Sequence, residues 1–118
     1  MKKNNVTAAT VAAWIKNGGG ATLDRAGWPV DFRRGYQVSR EDCYTIRAGA
    51  YRKIAAAVRD VLARLQPGDF CGMWLDDGRV CVDVSIRIGN RAEAEKLGRA
   101  WNQKAIFSWA RKTNIFLT

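Results

Sequence analysis

The chain has 118 residues, 47% of them hydrophobic, enough for one domain with its own core and no need of disulfide staples. Lys and Arg number 20 against 11 Asp and Glu, giving a formal charge of +9. That excess favours polyanionic partners (DNA, RNA or an acidic protein surface) and also serves solubility. No window is long and apolar enough to span a bilayer, and the absence of histidine removes the commonest general base and the Ser-His and Cys-His pairs.

The opening MKKNNVTAATVAAWIKNGGG has a basic tip and an apolar run. Trp14, Ile15 and Lys16 interrupt that run and no signal-type cleavage site is evident, so a cytoplasmic protein is expected. A first helix is predicted over 8–16, with Thr7 as N-cap, Asn17-Gly18 as the stop, and Val11, Trp14 and Ile15 as its apolar stripe. Gly18-Gly19-Gly20 breaks the chain. Residues 21–32 read as a short hairpin, because ATL and PVDF flank Asp24-Arg25-Ala26-Gly27. Tyr36-Gln37-Val38 reads as extended. Ser39 with Asp42 three residues on resembles a capping pair, which would start a helical turn at Arg40. The main helix is expected over 48–65, with Tyr51, Ile54, Val58, Val61, Leu62 and Leu65 on its core stripe and Pro67-Gly68 ending it.

Residues 69–88 carry the clearest pattern. Val80, Val82, Val84, Ile86 and Ile88 alternate with Arg79, Cys81, Asp83, Ser85 and Arg87, a period of two. With Asp77-Gly78 as a two-residue turn, Leu75 opposes Val80, Met73 opposes Val82 and Cys71 opposes Val84, so both strands send their apolar residues to one face. Asn90 with Glu93 makes a second capping pair, and a helix follows to about Trp101, burying Ala94, Leu97, Gly98 and Trp101. AIFSW, the Arg111-Lys112 loop and NIFL suggest a terminal hairpin. Short connections and Gly-containing turns favour antiparallel pairing. The expected fold is therefore α+β, one domain over 1–118, an antiparallel sheet built from hairpins with about three helices packed on it.

Two constellations are candidates for binding. The outer face of the central hairpin carries Phe70, Trp74, Asp83, Ser85 and Arg87. Aromatics beside arginine on an exposed sheet stack bases in single-strand binders, and Trp with Arg also dominates protein interfaces. A second structural layer covering that face is the bland alternative. The other constellation is cationic: Arg47, Arg52, Lys53, Arg59 and Arg64 on and before the main helix, with Arg111 and Lys112 in the last loop. These would contact phosphates or an acidic surface, or else form the solvated side of an amphipathic helix. Thirteen arginines against seven lysines tilt this towards bidentate contacts.

Catalytic, metal and cofactor chemistry are not expected. Asp76 and Asp77 belong to a turn and Asp83 stands several residues up the strand, so their oxygens do not converge on a cation. The three cysteines lack CxxC spacing, and Cys71 and Cys81 point to opposite faces, so they read as reduced packing thiols. Gly18-Gly19-Gly20 lacks the lysine and following helix of a phosphate-binding loop.

GYQVSREDC (35–43), CGMWLDDGRVCVDVS (71–85) and AEAEKLGRAWNQKAIFSWA (92–110) resemble small proteins carried by bacteriophages and other mobile elements of bacteria. The resemblance carries no functional residue. It implies a context: inhibitors of host defence such as anti-CRISPR proteins, or accessory nucleic-acid binders. Many such inhibitors are acidic DNA mimics, and this basic chain departs from them. An inhibitor of its charge would grip an acidic protein surface, or the guide RNA or target DNA within a complex. The leading expectation is a non-enzymatic protein that blocks a bacterial protein or ribonucleoprotein complex sterically. A basic DNA- or RNA-binding accessory protein is the alternative, and a structural phage protein the third. NIFL or AIFSW as an unprotected edge strand would allow a homodimer.

Overall fold

A computed structural model describes residues 6–117, and the basic tip of the chain lies outside them. The elements run α1 (Ala8–Gly18), β1 (Gly20–Leu23), β2 (Tyr36–Arg47), α2 (Tyr51–Arg64), β3 (Asp69–Asp76), β4 (Arg79–Ile88), α3 (Arg91–Ala100), β5 (Ala105–Ser108) and β6 (Thr113–Phe116). The strands form one antiparallel sheet in the order β1-β3-β4-β2-β5-β6. The fold is α+β.

The central hairpin has the register that its periodicity demands, with Leu75 opposite Val80, Met73 opposite Val82 and Cys71 opposite Val84. Asp77 and Gly78 both take positive φ (51° and 75°), the geometry of a type I′ turn, whose twist matches the strands it joins. Helix ends follow side-chain chemistry as well. Thr7 Oγ1 accepts the Thr10 N–H at 3.2 Å and Asn90 Oδ1 accepts the Glu93 N–H at 2.9 Å.

Local signals were incomplete in two places. Residues 21–32 fold back on themselves, with the Asp24 N–H donating to the Trp28 carbonyl and the Val30 N–H to the Thr22 carbonyl at 2.9 Å, but do not extend past the one bridge, Leu23 to Pro29. The long ladder of β1 is with β3. Asp24 Oδ1 caps the turn by accepting the N–H groups of Ala26 and Trp28. Nor does a helical turn begin at Arg40. β2 runs straight through as a twelve-residue strand on β4, with register shifts between Ser39 and Glu41 and between Asp42 and Tyr44. The Ser39–Asp42 spacing is used across the first of these bulges, where Ser39 Oγ donates to Asp42 Oδ1 at 3.1 Å. AIFSW is also not an edge, since β5 lies between β2 and β6; the sheet ends at β1 and β6.

All three helices lie on one face of the sheet. Val11 and Ile15 of α1 and Ile54, Val58, Val61 and Leu62 of α2 pack on Leu23, Cys71, Met73, Val80, Val82 and Val84. α3 covers the β2–β5 half, where Val38, Ala94 and Ile106 form a second buried cluster. It comes close at Gly98, where a Cβ would stand 2.6 Å from Leu117 and 3.0 Å from Ile106. Each of these fully buried aliphatic side chains is worth about 1.5–3 kcal/mol of transfer free energy. No helix among the described residues is long and apolar enough to cross a membrane.

Candidate functional site

The alternation that sends Val80, Val82 and Val84 to the helices sends Cys81, Asp83, Ser85 and Arg87 to the opposite face. Of the helices, only the C-terminal end of α1 reaches it, through Trp14, Asn17 and Gly18. Thr22 on the first strand of the sheet order and Asn114 on the last nevertheless line the same cavity, because the sheet curls around it. The cavity holds about 580 Å³, with Trp74, Phe107 and Trp109 among its aromatic walls and Gln37, Asp83 and Ser85 among its polar groups. Comparisons with protein-family models, curated proteins and solved structures give no match. What the site can do rests on its own chemistry.

Three of its polar side chains are buried: Gln37, Asp83 and Ser85. Burial of polar groups is costly unless they are paired, and two of them are. The Trp109 indole N–H donates to Gln37 Oε1 at 2.9 Å, and Gln37 Nε2 donates to Ser85 Oγ at 2.9 Å. One end of the concavity is closed by residues 29–35 and the β5–β6 turn. Phe32 meets both Phe70 and Trp109 edge-to-face at 5.3 Å, and Trp109 meets Phe107 at 5.1 Å.

Asp83 is the exception. Its Oδ2 accepts the Trp74 indole N–H at 3.1 Å, while its Oδ1 is buried without a hydrogen-bond partner. Only glycine opposite leaves room for this carboxyl, since a Cβ on Gly72 would stand 2.3 Å from Oδ1. Burial pushes the Asp83 pKa up to about 6, and Asp42 adds to the rise. The Trp74 N–H, the Ser39 hydroxyl and the Gly72 backbone work against it. The Ser39 hydroxyl stands near but is spent on Asp42. Asp83 is therefore a buried carboxyl with a pKa raised to about 6, on a face it shares with Cys81, Ser85 and the Arg87 guanidinium. Asp31, largely exposed at the rim, is the other ionisable group of the lining.

The five residues expected on the outer face do share it, in different states. Trp74 lines the cavity, and Asp83 and Ser85 are buried in it. Phe70 is packed against Phe32. Arg87 lies over the Phe32 ring at 5.0 Å and donates to the Arg34 carbonyl at 3.0 and 2.8 Å, so it staples the 29–35 segment to β4.

The seven expected cations do not form one patch. Arg52 and Lys53 are exposed on α2, and Arg47 ends β2 opposite Arg79. Arg59 donates to the Val6 carbonyl at 2.9 Å, and Arg64 pairs with Asp60 at 2.7 Å. The four on α2 belong to the helix-covered side, whereas Arg47 shares the register parity of Arg79 and Cys81 on the other face. Lys112 sits apart from them in the β5–β6 turn, 4.6 Å over the Trp109 ring, paired with Asp31 and donating to the Phe32 carbonyl at 3.1 Å. Arg111 is its neighbour in the same turn.

Gln37, Phe107, Trp109, Arg33 and Arg34 were not singled out from the sequence. Phe107 and Trp109 had a signal in the alternation of AIFSW. Gln37, a lone polar residue beside Val38, had none. The three thiols are free, and burial pushes that of Cys71 far above its ordinary range, which leaves it inert. No group of three or more His, Cys, Asp or Glu among the described residues is arranged to hold a metal.

Proposed function

We propose that the protein is a non-enzymatic binding protein that takes a flat, partly polar group of its partner into the concave cavity and so blocks or modulates a nucleic-acid-handling complex. The observation that carries this is the 580 Å³ cavity on the uncovered sheet face with Asp83 buried in its lining, one carboxylate oxygen unpartnered. Pockets of about 300–1,000 Å³ with aromatic walls and a few convergent polar groups are the ordinary form of a binding site. A buried acceptor without a donor costs about 1–3 kcal/mol, and native proteins keep few of them. A donor supplied by the partner, or a proton, offsets that cost. The resemblance to mobile-element proteins supports the choice of complex.

Hydrogen exchange with and without a purified bacterial defence ribonucleoprotein tests the reading. Protection is expected in β1, β3 and β5. Complex formation with protection confined to α2 would remove the concave face from the account.

A second reading, an enzyme with Asp83 as general acid or base, is favoured by its elevated pKa. The cavity offers little to work beside it. Ser85 Oγ accepts from the Gln37 amide, and the Ser39 hydroxyl has only the Asp42 carboxylate, a weak base, to take its proton.

A further inference from the structure

We infer that the group bound in the cavity is a base of a single-stranded nucleic acid, whose phosphates lie on a cationic rim built by residues 29–35 and the β5–β6 turn. This rests on the reading of the concave face as the binding site and names the partner's chemistry.

The rim is assembled by tertiary contacts. The Trp109 backbone N–H donates to the Gly35 carbonyl at 3.0 Å, Arg87 holds the Arg34 carbonyl, and Lys112 holds the Phe32 carbonyl. Two loops far apart in sequence thus bring together Arg33, Arg34, Arg111 and Lys112, all exposed. Lys112 is matched by Asp31, whereas Arg33, Arg34 and Arg111 have no ion pair among the described residues. Exposed arginines without acidic partners are suited to phosphate, which a guanidinium grips with two N–H groups.

The wall and the rim ask for different chemistry in one ligand. Trp74 and Phe107 line the cavity with half-buried aromatic rings, on which any base can stack, and Trp109 is buried behind them with Lys112 over its ring. The open oxygen of Asp83 accepts an N–H donor, most strongly while the carboxyl is ionised, and a carboxylate accepts from the exocyclic amino group of a base. Gln37 and Ser85 add amide and hydroxyl edges. A fatty acyl chain leaves the carboxyl unanswered, and an organic cation meets a cationic rim. A flat ring with amino donors, joined to anions, answers both. Three unpaired arginines exceed what one phosphate needs, which favours a strand over a free mononucleotide. Duplex DNA does not fit, because its bases are stacked inside the helix and cannot enter a cavity.

Binding of labelled single-stranded RNA and DNA octamers, duplex DNA and free mononucleotides, measured by anisotropy and competition across a salt series, tests the inference. The indole N–H signals are followed by NMR, assigned with single Trp→Phe variants. Single strands are expected to bind at least tenfold more tightly than duplex or mononucleotide, and to shift the Trp74 and Trp109 signals while those of Trp28 and Trp101 stay. The surface variant R33A/R34A/R111A should weaken single-strand binding tenfold or more and flatten the log–log salt slope by about 2, at roughly 0.7 per phosphate contact. Phe107→Ala should weaken it about 5- to 100-fold with the slope unchanged, as loss of a stacking face does. Single-strand binding that leaves the Trp74 and Trp109 signals unmoved overturns the base-in-cavity inference. So does duplex or mononucleotide binding of equal strength, or an unchanged salt slope in the triple variant. If no nucleic acid binds but a non-nucleotide aromatic ligand moves both indoles, this inference falls and the binding role of the concave face stands.

Discussion

β4 presents two surfaces built on opposite rules. On the helix side, Val80, Val82 and Val84 are buried in one hydrophobic cluster with Ile54, Val58, Val61 and the packing thiol of Cys71. On the concave side, two residues of the same strand, Asp83 and Ser85, are as deeply buried but polar, and one of their oxygens is left without a partner. The first surface is what a stable fold requires. The second is what a fold tolerates when the surface serves another end. Burial alone therefore does not mark structural importance, and the chemistry of what is buried separates the two.

The largest expected break in this contrast is on the helix side. Ile54→Ala should cost about 2–5 kcal/mol, read as a lower urea midpoint with an unchanged slope, because a fully buried aliphatic leaves a cavity that its neighbours only partly fill. The folded variant should keep its single-strand affinity, since Ile54 does not reach the concave face.

Asp83→Asn should act in the opposite direction. The folded pKa of Asp83 is raised to about 6 from an ordinary value of 3.8, so the folded state holds a proton that the unfolded chain has already released. Stability from this group is complete below about pH 4 and is lost as pH rises through about 6. Removing the charge should thus stabilise the protein by on the order of 2–3 kcal/mol at pH 8 and leave it unchanged below pH 4, in paired urea melts. Equal effects at both pH values would show that Asp83 does not carry the cost. The same variant exchanges an acceptor for an amide and should weaken binding of strands whose bases offer amino groups.

Gly72→Ala sharpens the contrast by the smallest step. Its methyl carbon would stand 2.3 Å from Asp83 Oδ1, so the carboxyl must leave its place beside Trp74, at roughly 1–2 kcal/mol. In an Asp83→Ala background that cost should nearly vanish, giving a coupling energy in a double-mutant cycle. An equal cost in both backgrounds would place the strain in the backbone of β3 instead.

The central hairpin was legible because its information is local. A period of two, a turn that needs positive φ at Asp77 and Gly78, and matched apolar residues across the strands leave one register. Thr7 and Asn90 were legible as caps for the same reason. The Ser39–Asp42 pair shows the limit. Its spacing suits a helix start, yet the ladder with β4 pairs ten residues of β2, and a single cap cannot compete with that. The site was half legible. Alternation put Phe70, Trp74, Asp83, Ser85 and Arg87 on one face, but it could not show Phe32 covering Phe70 or Arg87 spent on the Arg34 carbonyl.

The amino-acid sequence by itself determined the class of fold, the registered hairpin, the helix ends and the excess of positive charge, because periodicity, capping and composition act over a few residues or over the whole chain without regard to path. Tertiary structure alone decided that β1 joins β3, that the sheet curls until Thr22 and Asn114 face one cavity, and that the segment carrying Arg33 and Arg34 is bonded to the hairpin carrying Arg111 and Lys112. It also decided that Asp83 is buried and half-satisfied, since burial and pairing depend on which distant segments close over a residue, and that depends on packing across the whole sheet.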